Sequence, residues 1–206
     1  MSPRSENTRP PKKAGKKSAA DAVQMLKQDH RKVEQLFEQF FKGEPRQRAQ
    51  VVQQLVRELD VHATLEEEIF YPALQQRAQQ VESAVEEAEL MDEDDTINGA
   101  DIEDAEPLDD QEDLAEEETE HSVFEDVVEA AYEDHQLVKE LLDRLQRMDT
   151  DSEEFPKAVA GLEEMIADHV SEEEAILFPN ALEQLDTKAI GKLMHERRQE
   201  LTAGVA

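Results

Sequence analysis

Six polar residues stand where helices need apolar ones, and they constrain this chain more than anything else in it. The run Val23, Leu26, His30, Val33, Phe37, Phe40 advances in steps of 3, 4, 3, 4 and 3, the period of a helix seam. A second stripe reads Leu55, Leu59, His62, Glu66, Ile69. A third reads Phe124, Val128, Ala131, His135, Val138, Leu142, Leu145, and a fourth Val159, Leu162, Ile166, His169, Glu173, Ile176. Four helices thus turn a histidine inward, and two of them add a carboxylate one turn later. Burying such groups costs several kcal/mol each unless they are hydrogen-bonded, paired or bound to a metal. One shared metal site would satisfy all six.

The stripes also repeat. Asp29-His30 and the residues after it match Asp134-His135, and HATLEEEIFYP from His62 to Pro72 matches HVSEEEAILFP from His169 to Pro179. The first histidines are 105 residues apart and the second pair 107. A helical hairpin used twice predicts an all-α, up-down-up-down four-helix bundle with approximate two-fold symmetry.

Chain boundaries follow from caps and breakers. Helix one is expected from about Asp21, an N-cap, to Phe41, ended by Gly43. Helix two runs from about Arg46 to Ala78, with Pro72 expected to kink it or to end its regular part at Tyr71. Helix three spans about Ser122 to Met148, and helix four runs to about Phe178 and is interrupted by Pro179. A fifth, C-terminal helix is expected over about Thr187 to Thr202. The domain is therefore 20–203, preceded by a basic tail, 1–19, with no apolar period and read as disordered. Between helices two and three lies a long acidic insert, 79–120. No Lys or Arg occurs from Glu82 to Asp134, and much of the formal charge of −30 gathers there.

Composition excludes several chemistries. The absence of cysteine removes disulfides, iron–sulfur clusters, thiolate zinc sites and cysteine nucleophiles. No apolar run spans a membrane and no secretory signal is visible, so a cytoplasmic protein without a membrane partner is expected. The acidic body opposes nucleic-acid phosphates, although the basic tail or acidic insert could offer a surface to a protein partner.

Residues four apart on a helix share a face, so His62 with Glu66 and His169 with Glu173 can reach one axis, joined by His30 and His135. Four imidazoles and two carboxylates suit two metal ions, each with two histidines and both carboxylates bridging. Such ligands with open positions suit iron. Glu67, Glu68, Glu172 and Glu174 flank the ligands as solvated faces or as acceptors for imidazole N–H groups. His121 and His195 fall outside the repeat, and Tyr71 and Phe178 are read as core plugs.

The motif set, a lone His30, the H-x-x-x-E of His62 and Glu66, a lone His135 and the H-x-x-x-E of His169 and Glu173, resembles the hemerythrin-like family in its HHE cation-binding branch. The resemblance covers about 20–78 and 121–183. It implies a non-haem centre of two iron ions, oxo- or hydroxo-bridged, that handles a small diatomic ligand or peroxide. Oxygen-carrying hemerythrins differ: they place a fifth histidine where this chain has Ala131, and they end on an aspartate five after the last histidine, where this chain has Glu173 four after His169. That difference favours sensing or catalase-like peroxide decomposition over oxygen carriage. Tyr132, one turn before His135, is the candidate auxiliary ligand or hydrogen-bond donor. The alternatives are an iron- or zinc-binding structural or storage protein, and an interaction protein acting through the acidic insert.

Overall fold

A computed structural model of the chain describes residues 21–92 and 111–203. The basic tail and the middle of the acidic insert lie outside them. Every regular element among the described residues is helical.

Helix α1 covers Ala22–Lys42. Asp21 caps it, its Oδ1 accepting from the Gln24 amide at 3.3 Å. Gly43 ends it, its amide donating to the Gln39 carbonyl, and a Cβ at this position would run into that same oxygen. A short 3₁₀ turn, Pro45–Gln47, leads into α2, Arg48–Leu65. The α pattern then opens into a π turn, Glu66–Phe70, before resuming as α3, Tyr71–Asp92. The second half repeats this course, with α4 at Gln111–Arg147, α5 at Glu154–Glu172, a π turn at Glu173–Leu177 and α6 at Phe178–Gln184. Helix α7, Thr187–Ala203, closes the described chain.

Two expectations change. The regular α pattern ends at Leu65, earlier than the Tyr71 that Pro72 alone suggested, while the helix continues past the proline as expected. Pro72 cannot donate to Glu68, and its ring would press on that carbonyl. The extra residue of the π turn holds Glu68 and its neighbours in a wider ring, so the proline is taken up without a break. Pro179 follows its own π turn in the same way. Helix α4 also begins well before Ser122, and α3 runs on to Asp92, so the acidic insert is helical at both margins. Glu, Leu and Ala there favour helix, and 111–120 contains neither glycine nor proline.

The apolar residues form two clusters. One gathers Leu26, Leu65, Phe70, Tyr71, Leu177, Phe178 and Met194, and the other Phe37, Phe40, Leu55, Leu142, Phe155 and Leu162. Along α1 the change-over falls between Leu26 and Val33, where His30 stands. Full burial of each large side chain contributes about 1.5–3 kcal/mol. Two such clusters can therefore hold a costly polar layer between them. Helix α7 lies against α1 and α2.

Candidate metal centre

That polar layer contains all six residues singled out from the sequence. His30 comes from α1, His62 from α2, His135 from α4 and His169 from α5, while Glu66 and Glu173 each open a π turn. All six are buried, and Glu66 has no exposed surface. Each carboxylate faces one imidazole from each half of the chain. Glu66 Oε2 lies 3.1 Å from His62 Nε2 and 3.4 Å from His135 Nε2. Glu173 Oε2 lies 3.2 Å from His30 Nε2 and 3.6 Å from His169 Nε2. His135 Nε2 and His169 Nε2 are 3.2 Å apart.

The donor set fits metal ions. His30 Nε2, both oxygens of Glu66 and Glu173 Oε2 are buried with no hydrogen-bond partner. Such orphans are rare in folded proteins, because each forfeits its hydration for nothing. Two groups of ligand atoms converge: His30, His62, Glu66 and Glu173 in one, Glu66, His135 and His169 in the other. Glu66 belongs to both, as a bridging carboxylate would.

The opposite ring nitrogens explain why four Nε2 atoms aim inward. A carboxylate stands beside every Nδ1. Glu174 Oε1 lies 3.1 Å from that of His30, and Glu67 Oε1 2.9 Å from that of His135. Asp29 Oδ2 lies 3.7 Å from that of His62, and Asp134 Oδ2 3.5 Å from that of His169. The acceptors within hydrogen-bond reach, at His30 and His135, keep the proton on Nδ1 and leave the lone pair on Nε2 for a metal, whereas His62 Nδ1 is buried without a hydrogen-bond partner. Glu67 and Glu174 thus take the acceptor role weighed for them, whereas Glu68 is exposed and pairs with Arg197. Asp29 and Asp134 were missed, although the repeated Asp-His pair carried the signal.

Electrostatics separates the two central carboxylates. Burial, and then the charge of Glu173, pushes the Glu66 carboxyl well above its ordinary range. Burial acts on Glu173 too, but the close imidazole of His30, followed by those of His169 and His62, outweighs it and holds the group low. Burial, followed by the neighbouring His169, lowers His135 to about 3, so its imidazole is neutral. Asp29 is lowered to about 2: burial opposes this, and His62 and Arg198 overcome it.

The π turns place aromatic rings on the ligands. With one extra residue in the turn, the position five after each glutamate returns to the centre. Tyr71 stacks on His135 at 5.7 Å between centroids, and Phe178 stacks on His30 at 5.6 Å. Tyr71 adds what Phe178 lacks: its hydroxyl donates to Glu173 Oε1 at 2.7 Å. Burial, and then Glu66, raises its pKa well above the usual, so it remains a donor. The expected tyrosine, Tyr132, packs edge-on against Tyr71, and its hydroxyl faces the Glu67 carbonyl oxygen at 3.5 Å. His195 is exposed, as expected, and the side chain of His121 lies outside the described set. On the far side of the imidazoles is a cavity of about 20 Å³ walled by apolar groups such as Val33, Leu59, Ala63, Val138 and Ile166.

The family model for the hemerythrin HHE cation binding domain matches residues 21–121 and 112–181. The chain belongs to this family. Among solved structures, this HHE protein is similar to a hemerythrin HHE cation binding domain-containing protein from Mycobacterium kansasii. The two share 17% sequence identity over 89% of this chain and 88% of the other, with a TM-score of 0.60, a likeness of fold. No curated protein matches the sequence. The family match stops at residue 181, so α7 lies beyond it.

Proposed function

We propose that this HHE protein holds two non-haem iron ions and handles dioxygen, peroxide or nitric oxide, with sensing or peroxide decomposition ahead of reversible oxygen carriage. One observation carries the reading: four imidazole Nε2 atoms and two carboxylates with orphaned oxygens converge beside a small apolar cavity. Bound iron would supply a redox couple and exchangeable coordination positions. His30 and His62 would serve one ion, His135 and His169 the other, with Glu66 and Glu173 between them. In this reading α1, α2–α3, α4 and α5–α6 form the up-down-up-down bundle of the family.

The chain's residues do three further things. The Nδ1 carboxylates raise the basicity of each imidazole and fix its orientation. The Tyr71 hydroxyl can donate a hydrogen bond to Glu173 or release it as coordination changes. A cavity of about 20 Å³ exceeds the roughly 10–15 Å³ that a water needs, so it suits a water-sized or diatomic guest and rejects larger ones. Ala131, at the position of a fifth histidine in oxygen carriers, leaves a coordination position without a protein donor, which favours chemistry at the ion over stable carriage.

The test is metal content and the visible spectrum of the iron-loaded protein, before and after peroxide. About two irons per chain, lost in His135→Ala and His169→Ala, and rapid peroxide turnover would support a peroxide-decomposing role. A lasting spectral change without turnover would support sensing. Zinc as the isolated metal, or no metal with the six residues intact, would overturn the reading.

A further inference from the structure

Helix α7 reaches the metal centre from outside the segment that defines the family. Arg198 forms a two-pronged ion pair with Asp29: Nη1 donates to Oδ1 at 2.8 Å and Nη2 donates to Oδ2. Asp29 is buried, and its Oδ2 is the carboxylate atom beside His62 Nδ1. Three more hydrogen bonds fix the helix in register. The Thr187 hydroxyl donates to Asp21 Oδ2 at 2.6 Å, and Arg197 donates to both oxygens of Glu68, at 2.6 and 3.0 Å. Helix α7 is therefore tied to the start of α1, to the residue before His30 and to the π turn that begins at Glu66.

The repeat provides an internal control. Asp134 is the counterpart of Asp29 and stands beside His169 Nδ1 at 3.5 Å. Its side chain is 32% exposed, and among the described residues no Lys or Arg pairs with it. The other two Nδ1 carboxylates are held, Glu174 by Arg31 and Glu67 by Lys139. One imidazole in four is thus oriented by a carboxylate that water can reach and no cation restrains.

We infer that α7 is a lock on one of the two metal positions: Arg198 is a positioning residue that acts through Asp29 on His62, so that the His30/His62 position binds its ion more tightly than the His135/His169 position. The physical case is simple. A planar guanidinium holds both carboxylate oxygens in a fixed plane, which a lysine cannot do. A carboxylate so held has lone pairs left to accept the His62 N–H, and the 3.7 Å gap needs to close by only about 0.5–1 Å to become a hydrogen bond. Asp134 must instead be ordered at the moment of binding. By linkage, docking of α7 and binding of the ion strengthen each other.

This inference rests on the metal-binding reading, and one experiment separates their failures. Zinc, which is redox-silent, is titrated against a chelator into the full metal-free chain, and two stepwise affinities are read. Wild type, Arg198→Met, Arg198→Lys, Asp29→Asn, Asp134→Asn and the Arg198→Met/Asp29→Asn double variant are compared. Loss of an outer-shell partner weakens a metal by about 10–100-fold. Arg198→Met should cause that loss in the tighter step and leave the weaker step nearly unchanged. Asp29→Asn should match it, the double variant should add nothing, and Arg198→Lys should fall between. Zinc should also slow amide exchange in α7 of wild type and not of Arg198→Met, a response that mere loss of stability does not produce. If wild type takes up no zinc, the metal-binding reading fails. Zinc bound in two steps that Arg198→Met leaves unchanged, or weakens equally, refutes the lock alone.

Discussion

Glu66→Gln should make the metal-free protein more stable and the metal-loaded protein less so. Glu66 is fully buried, neither oxygen has a hydrogen-bond donor, and Glu173 adds like charge beside it. Leaving a buried polar group unsatisfied costs about 1–3 kcal/mol, and more for a charge. Glutamine keeps the shape, removes the charge and turns an amide N–H₂ toward His62 Nε2 and His135 Nε2, which need donors. A gain of about 2 kcal/mol is expected, equivalent to roughly 4–8 °C in Tm for a domain of this size. The gain depends on pH. The folded carboxyl titrates above its unfolded value of 4.5, so its cost is absent below 4.5 and grows as pH rises through the folded value. The advantage of Glu66→Gln should therefore widen from pH 4.5 to 7. Ion at about 100 times its Kd stabilises wild type by about 2.7 kcal/mol, which the bridge-less variant should largely lose, so the order of stability inverts on loading. Calorimetry on chelator-treated and zinc-loaded samples reads both halves. A metal-free Glu66→Gln protein that melts below wild type would refute the orphaned-carboxylate argument, and an undiminished zinc shift would refute Glu66 as the bridge.

Two further outcomes follow from the same geometry. Phe178→Tyr, by the repeat, brings a phenol toward Glu66 as Tyr71 does toward Glu173. It should raise the metal-free Tm by about 2–4 °C, one hydrogen bond's worth, and a fall in Tm would show that the second half has no room for the hydroxyl. In the Glu66→Gln background, where the histidines titrate without the opposing carboxyl, urea midpoints should fall on acidification. His135 is held at about 3 by burial and then by His169, so its contribution is complete above the unfolded value of 6.5 and is lost as pH falls from there toward 3. The slope is bounded by about 1.4 kcal/mol per pH unit for each such histidine, and His62 shifts in the same direction. A midpoint that stays flat from pH 7 to 5 would mean the imidazoles are not buried neutral.

The sequence showed the ligands clearly because each is a violation. A histidine between Leu26 and Val33 interrupts a regular apolar period, and the repeat shows the same violation at the same height. Packing partners were harder to see. Tyr71 looked like a core plug because a plain α-helix puts the residue five after Glu66 off its face. Only the π turn, a response to Pro72, rotates it back. Tyr132 seemed the better tyrosine for the same reason, since one turn before His135 is the right place on an undistorted helix. Arg198 carries no local signal, because it stands in a run of charged residues. Its partner is 169 residues away, a distance that no local pattern spans. The helical margins of the insert were hidden by charge, which says that a segment is solvated and not whether it is helical.

The one hydroxyl that distinguishes Tyr71 from Phe178 gives the centre a direction. Two identical halves would present a guest molecule with two equivalent approaches, and nothing would decide which ion met it first. Here one carboxylate is steadied by a phenol and the other is not, so the halves differ in how readily each lets go of its glutamate. A duplicated hairpin has in this way stopped being a duplicate at its carboxylates as well as at Asp29, and if two ions are held as proposed, exchange at them should proceed in a fixed order.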